Sequence, residues 1–372
     1  SIRYSDWSTM KENDEILDVT SALVPPLLSA LDALQMASRF MHPPNIAAVV
    51  EAISDKQLAV RDGLQAFQSA DWPENLERFF VAVKESAENA LEAFAAFDEA
   101  VKQAEPAMTA YRAMGLATKA VESMYPVASM LAPVSRFYLE DSSRSDDLLL
   151  NRLEDADTSK PDVGVMHANN SSRERGGFSM YVPEYYEGEE VPLVVALHGG
   201  SGHGRNFLWS WLVAARSKNA ILVAPTSLGG TWALMDPEKD INHLESLVSY
   251  VRKNWNIDSK KILLTGMSDG GTFTYVAGLE KNSAFTHLAP CSASFHPMLL
   301  EAADADRLNG LPIYLIHGAL DWMFSAEVAR SAEESFLKAG SSIEYHEVED
   351  LSHVYPREFS ARILDWMMEN RL

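Results

Sequence analysis

Two rhythms divide the chain. From about residue 11 to 139, apolar positions recur three or four apart, as on one face of a helix. The clearest run opens at Asp71-Trp-Pro-Glu74, where Asp71 is placed to cap, Pro73 suits a first turn and Glu74 completes a box-like signal. Leu76, Phe80, Val83, Ala87, Leu91, Phe94 and Val101 then mark its apolar face. Ile46, Val49, Ile53, Val60, Leu64 and Phe67 trace a second stripe. Further helical stretches are predicted over 12–40, interrupted by Pro25-Pro26, and over 106–139, interrupted by Pro126 and Pro133. No β-like alternation appears, so residues 1–150 read as an all-α bundle of about four helices.

Polar stretches at 141–147 and 154–161 part this half from the next. Beyond them short apolar runs alternate with helical segments. Runs 163–168 and 178–182 flank Arg173-Glu-Arg-Gly-Gly177 and read as a hairpin. Runs 191–197, 220–224, 261–265, 311–316 and 343–348 suit strands covered on both faces. Helices fit at 207–217, 241–256, 269–279, 326–339 and 356–370. The expectation is a mostly parallel α/β sheet with helices on both faces and an antiparallel start, over residues 160–372.

Composition adds limits. A chain of 372 residues that is 47% hydrophobic has ample core for two domains. No run of about 18 apolar residues stands out, so no membrane span is expected. The opening Ser1-Ile-Arg-Tyr-Ser-Asp-Trp lacks the basic-then-apolar pattern of a secretory leader, and it also lacks Met. One cysteine, Cys291, excludes an intramolecular disulfide framework. Together these point to a cytoplasmic protein. The formal charge of −22, shared by both halves, disfavours nucleic acid as a partner.

The candidate chemistry centres on Gly266-Met267-Ser268-Asp269-Gly270, between a buried apolar run and a helix-like segment. A G-x-S-x-G turn at that junction is sharp enough to demand glycine on both flanks, and it lifts the serine hydroxyl above the sheet. A serine hydroxyl needs a base, and the base needs a carboxylate to orient it. Asp321 follows the run 311–316, and His353 follows 343–348, in the order Ser, Asp, His. The predicted triad is therefore Ser268, Asp321 and His353. His317 and His346 read as structural, and His296 precedes the acid. Asp350 is a weaker acid candidate, and Asp304 and Asp306 read as surface. For the oxyanion, backbone N–H groups are expected from Asp269 and from Gly200 in His198-Gly-Gly-Ser-Gly-His-Gly204, with Gly199 and Ser201 as near alternatives. That glycine-rich run lacks the Lys-Ser/Thr of a P-loop and the acidic partner of a dinucleotide site. No metal spacing stands out, and no cofactor is expected.

Four stretches carry a family resemblance: Leu197-His-Gly-Gly200, Leu264-Thr-Gly-Met-Ser-Asp-Gly-Gly271, His317-Gly-Ala-Leu-Asp-Trp-Met-Phe324 and Leu351-Ser-His-Val-Tyr-Pro356. Through them the second half resembles an α/β-hydrolase. Within that superfamily it is similar to carboxylesterases grouped with polyhydroxybutyrate depolymerase-like and phospholipase/carboxylesterase-like proteins. The resemblance implies hydrolysis of carboxylic esters through an acyl-serine, on small or medium acyl groups. Asp269 departs from the Asn or Gln common after such a nucleophile, and its carboxylate is expected to turn away from the oxyanion. Trp322, Met323 and Phe324, with Gly199 and more weakly Trp232, are candidate substrate contacts.

Alternatives using the same triad are a polyester-oligomer depolymerase, a thioesterase and a serine peptidase. Outside enzymes, a scaffold with a vestigial hydrolase fold is the rival. Only about twenty residues separate Cys291 from Leu311, too few for an inserted helical cap. The N-terminal bundle is thus a candidate lid, or a homo-oligomer interface, with Met108, Met114, Met124 and Met130 as an adaptable apolar surface.

Overall fold

The computed structural model describes residues 14–369. The reading of the first seven residues, and the ends of the predicted helices at 12–13 and 370, lie outside these. The chain forms two compact units, one up to Ser159 and one from Lys160.

The first unit is helical: α1 (Asp14–Arg39), α2 (Ile46–Ile53), α3 (Gln57–Ser69), α4 (Glu77–Val101), α5 (Ala107–Met124), α6 (Ala132–Phe137) and α7 (Asp147–Asp155). Helices α4 and α5 lie side by side, and α1 packs against α3, α4 and α5. Small residues permit the α4–α5 approach: Ala110, Ala113, Ala117 and Ala120 of α5 and Ala82, Ser86, Ala90 and Ala93 of α4 are all buried. The Ser86 hydroxyl donates to the Ala120 carbonyl at 2.8 Å across that seam. Met124 and Met130 are core residues, whereas Met108 is exposed.

Several expectations are corrected here. Helix α1 runs through Pro25-Pro26 without a break. Proline 26 has no N–H for the Ala22 carbonyl, and that oxygen faces Gly63 of α3, where an added Cβ would lie 3.1 Å away. Close packing thus covers the gap left in the ladder. The same helix, over Glu15–Arg39, is by length and composition apolar enough to cross a membrane, and nearly half of it is buried inside the protein. The expectation that no stretch reaches that threshold fails, because buried alanines and leucines on α1 raise its average. Asp71 does not cap: Pro73 precedes a 3-10 turn, Glu74–Leu76, that has no side-chain cap. Trp72 holds this corner instead, its ring 4.4 Å from Phe67 and its indole N–H donating to the Phe67 carbonyl at 2.6 Å. The polar boundary contains α7, capped by Asp146, so the unit runs on past residue 150.

The second unit is an eight-stranded sheet: β1 (Gly164–Ala168), β2 (Phe178–Val182), β3 (Val191–Leu197), β4 (Ile221–Pro225), β5 (Ile257–Met267), β6 (His287–Cys291), β7 (Pro312–Gly318) and β8 (Ser342–Val348). Their order is β1-β2-β4-β3-β5-β6-β7-β8, with β2 antiparallel to both neighbours and the remaining pairs parallel. Helices α8 (Leu212–Lys218), α9 (Glu238–Asn254), α10 (Asp269–Gly278), α11 (Ala326–Lys338) and α12 (Glu358–Glu369) connect and cover the strands. The helix expected at 207–217 is broken into a single turn, a 3-10 turn and α8. Trp209 and Trp211 are both buried, and residues two apart point to opposite sides of a helix. The break falls at this pair.

This is the α/β-hydrolase fold, and it positions the site. The chain leaves β3 to build β4 on one side, then returns to build β5 on the other. Loops after β3 and β5 consequently meet at the point where strand order reverses, the usual crevice of an open parallel sheet.

Candidate active site

Ser268 follows β5 directly, with φ 56° and ψ −119°, a conformation costing a β-carbon-bearing residue about 1–3 kcal/mol. Its N–H donates to the Cys291 carbonyl at 2.9 Å, and its carbonyl accepts the first helical bond of α10, from Thr272 at 2.9 Å. Both flanking glycines are required by space. A Cβ on Gly266 would strike the Gly270 backbone, and one on Gly270 would strike the Leu197 carbonyl of β3. The turn is thus wedged between its own helix and the neighbouring strand.

The other two residues of the triad arrive from the far side of β5. Asp321 closes the turn after β7, and His353 sits in the loop after β8. Gly318 allows these loops to touch, since a Cβ there would collide with the Leu351 carbonyl. Ala319 N–H donates to Val348 at 2.8 Å and Leu320 N–H to Leu351 at 3.0 Å. With the loops so joined, His353 Nδ1 donates to Asp321 Oδ2 at 2.8 Å, and Ser268 Oγ donates to His353 Nε2 at 3.0 Å. An ionised carboxylate only accepts, so it fixes the proton on Nδ1 and leaves Nε2 as an acceptor facing the serine hydroxyl. All three side chains are buried. Burial pushes the Asp321 carboxyl up, but hydrogen bonds from His353 and from the Phe324 and Met323 N–H groups outweigh it and hold the group below its usual range.

The glycine-rich loop reaches the serine from β3. A Cβ on Gly199 would lie 3.6 Å from Ser268 Cβ. Ser201 N–H donates to the Gly230 carbonyl at 2.9 Å, which commits that alternative donor elsewhere. Gly200 is exposed and lies in front of the Asp269 carboxyl. Asp269 opens α10, so its N–H belongs to the unsatisfied first turn of a helix. Its side chain lies over the loop, where Oδ2 accepts from the Thr231 hydroxyl at 2.6 Å, beside Gly200. The pull of that hydroxyl, 38 residues away, was invisible to local reading.

A brace behind the loop also went unread in the sequence. Arg175 donates to the Gly202 carbonyl at 2.7 Å, the Gly229 carbonyl at 2.8 Å and the Ser227 hydroxyl at 2.7 Å. His198 donates from Nδ1 to the Gly199 carbonyl at 2.6 Å and accepts the Ser227 N–H on Nε2 at 3.0 Å, an arrangement only the neutral ring can make. Burial accordingly lowers its pKa to about 4. Trp232 is buried, its indole N–H donating to the His198 carbonyl at 2.9 Å. It supports the loop and is no pocket wall, which corrects the sequence expectation.

Beside the acid, Trp322 is 46% and Met323 48% exposed, and the Trp322 ring lies 6.3 Å from that of His353. Phe324 is half-buried, 5.6 Å from the same imidazole. His317 Nε2 donates to the Phe324 carbonyl at 2.7 Å. His296 is exposed and accepts the Met298 N–H, and Asp350 is exposed on the loop before His353. Asp304 caps a single turn through Arg307. No group of three or more metal-ligating side chains converges among the described residues.

The sequence profile of the phospholipase/carboxylesterase family matches residues 236–369. A bifunctional acetylxylan esterase/xylanase of Neocallimastix patriciarum is 30% identical over 178 residues, 46% of this chain and 25% of that protein. The chain therefore spans about a quarter of that relative's length. Among solved structures, a thermostable esterase is 19% identical with a TM-score of 0.46, over 55% of this chain and 62% of the other. A truncated carbohydrate esterase from gut microbiota is 14% identical with a TM-score of 0.45, over 57% and 99%. Over residues 236–369 the second unit, with its α/β-hydrolase fold, is thus similar to the phospholipase/carboxylesterase family.

Proposed function

We propose that the protein is a serine carboxylesterase acting on small to medium acyl esters. The unbroken hydrogen-bond chain from Ser268 Oγ through His353 to Asp321 is the observation that carries this reading. Ser268 Oγ attacks the ester carbonyl carbon while its proton passes to His353 Nε2. The carbonyl electron pair moves onto oxygen, which Gly200 and Asp269 N–H groups stabilise. Collapse of that oxyanion breaks the bond to the alcohol, which takes the proton from His353 and leaves an acyl-Ser268. Water then attacks with His353 as base, and the acid departs as Ser268 recovers its proton. Asp321 stays ionised throughout and holds the imidazolium.

Trp322 and Met323, exposed beside His353, are the proposed substrate contacts, with Gly199 on the other side. The acetylxylan esterase activity in the relative's name makes acetyl the first acyl group to test. Hydrolysis of p-nitrophenyl esters from acetate upward should depend on Ser268, with Ser268→Ala losing about 10⁴-fold or more in kcat. Full activity in that variant would overturn the reading. A preference for thioesters, peptides or hydroxyalkanoate oligomers over simple esters would reassign the substrate and keep the triad.

A further inference from the structure

The last paired residues of β3 and β5 are Leu197 and Gly266. Beyond them the glycine-rich loop and the start of α10 leave the sheet, and strand pairing no longer sets the distance between Gly200 and Asp269. Yet an oxyanion hole works only if its two N–H donors keep one separation. The Asp269 side chain crosses this gap. Its Oδ2 accepts from Thr231 at 2.6 Å, and a Cβ on Gly200 would lie 2.7 Å from that same oxygen. Thr231 belongs to the segment that Ser201 N–H grips through Gly230, and that Arg175 ties to Gly202. Three pieces of chain therefore close on one carboxyl oxygen. Gly200 has no left-handed φ, so what demands glycine there is the carboxyl in front of it and not its own backbone.

We infer that Asp269, through its hydrogen bond from Thr231 and its packing on Gly200, is a positioning residue that sets the glycine-rich loop against the N-terminus of α10. The inference rests on the serine-esterase reading of Ser268. Its chemistry is geometric, and no proton passes through the carboxyl.

The test uses the full chain with p-nitrophenyl acetate and thermal melting. Thr231→Val should lower kcat about ten- to a hundredfold with KM and Tm near wild type, the size expected when a reacting geometry shifts by a fraction of an ångström to an ångström. Thr231→Ser, which keeps the hydroxyl, should restore most of that loss. Gly200→Ala should lower kcat similarly in the wild-type background, but should cost nothing further on top of Asp269→Ala, where the oxygen it strikes is gone. Such non-additivity reports the contact itself. Full kcat in Thr231→Val, or equal damage from Gly200→Ala with and without Asp269, would overturn the inference. Ser268→Ala separates the two levels. If it retains hydrolysis, the esterase reading fails; if it is inactive while Thr231→Val is fully active, only the positioning role fails.

Discussion

The imidazoles of His317 and His353 converge on one oxygen of Asp321, Nε2 of the first at 3.4 Å and Nδ1 of the second at 2.8 Å. Only the second is a hydrogen bond, because the His317 proton is given to the Phe324 carbonyl. The other oxygen of Asp321 accepts two N–H groups, from Met323 and Phe324, both at 2.9 Å. This division predicts the outcome of Asp321→Asn. The amide oxygen has to serve the two N–H groups, so the amide NH₂ faces His353 and favours the wrong tautomer. Loss of about 10³–10⁴ in kcat with little change in KM is expected. Steady-state kinetics with a folded-state check by circular dichroism would decide it.

Acid should weaken the fold before it protonates Asp321. His198 and His287 are buried, and burial lowers each to about 4, below the ordinary 6.5. An unfolded chain binds these protons from about pH 6.5 downward, the folded chain only near 4. The unfolded state thus holds more protons in that window, and stability rises with pH across it, by up to about 1.4 kcal/mol per pH unit for each group. Their contribution is fully present above 6.5 and lost as pH falls through 4. Asp321, held below the usual carboxylate range, gives way only at still lower pH. Urea midpoints should therefore fall from pH 7 to pH 5, and His287→Gln should flatten the slope. An unchanged midpoint would refute this.

Two glycines of the second unit should respond very differently. Gly270→Ala drives a methyl into the Leu197 and His198 carbonyls and should cost more than about 4 kcal/mol or abolish folding. Gly230→Ala meets nothing within 4 Å and has no left-handed φ, so it should stay within about 0.5 kcal/mol of wild type. Denaturant titrations of the two variants make the comparison.

Trp322→Ala should raise KM severalfold for the longer acyl esters while leaving kcat for acetate near wild type. The ring is exposed, edge-on to the His353 imidazole at 6.3 Å, and takes no part in the hydrogen bonds joining Ser268, His353 and Asp321. A drop in kcat alone would assign it to holding the imidazole instead.

Arg216 and Glu184 form a buried pair at 3.3 Å, with the Tyr181 hydroxyl donating to Glu184 at 2.6 Å. Arg216→Ala leaves that carboxylate buried without its cation and should cost about 3–5 kcal/mol. A thermal melt within two degrees of wild type would show that the pair contributes little.

Much of the second unit was legible because its signals are local. Strands β5, β7 and β8 hold compact apolar or alternating runs, and Ser268, Asp321 and His353 each follow one. The residues missed act across the chain. Arg175 reaches Gly229 over 54 positions and Thr231 reaches Asp269 over 38, and neither belongs to a motif. His317 looked structural, and its contact with Phe324 depends on a turn whose shape only the folded loop reveals. In the first unit the error ran the other way. Pro25-Pro26 is a strong local stop signal, overridden because Gly63 lets α3 cover the carbonyl that Pro26 leaves open.

The hydrogen bonds between the β7 and β8 loops have a mechanical consequence. Ala319 and Leu320 fasten the acid's turn to Val348 and Leu351, so Asp321 and His353 ride on one stiff platform. Ser268 stands on separate ground, anchored to Cys291 and α10. One bond, Ser268 Oγ to His353 Nε2, joins the two parts. Any misfit between β5 and the β7–β8 platform would fall on that single length.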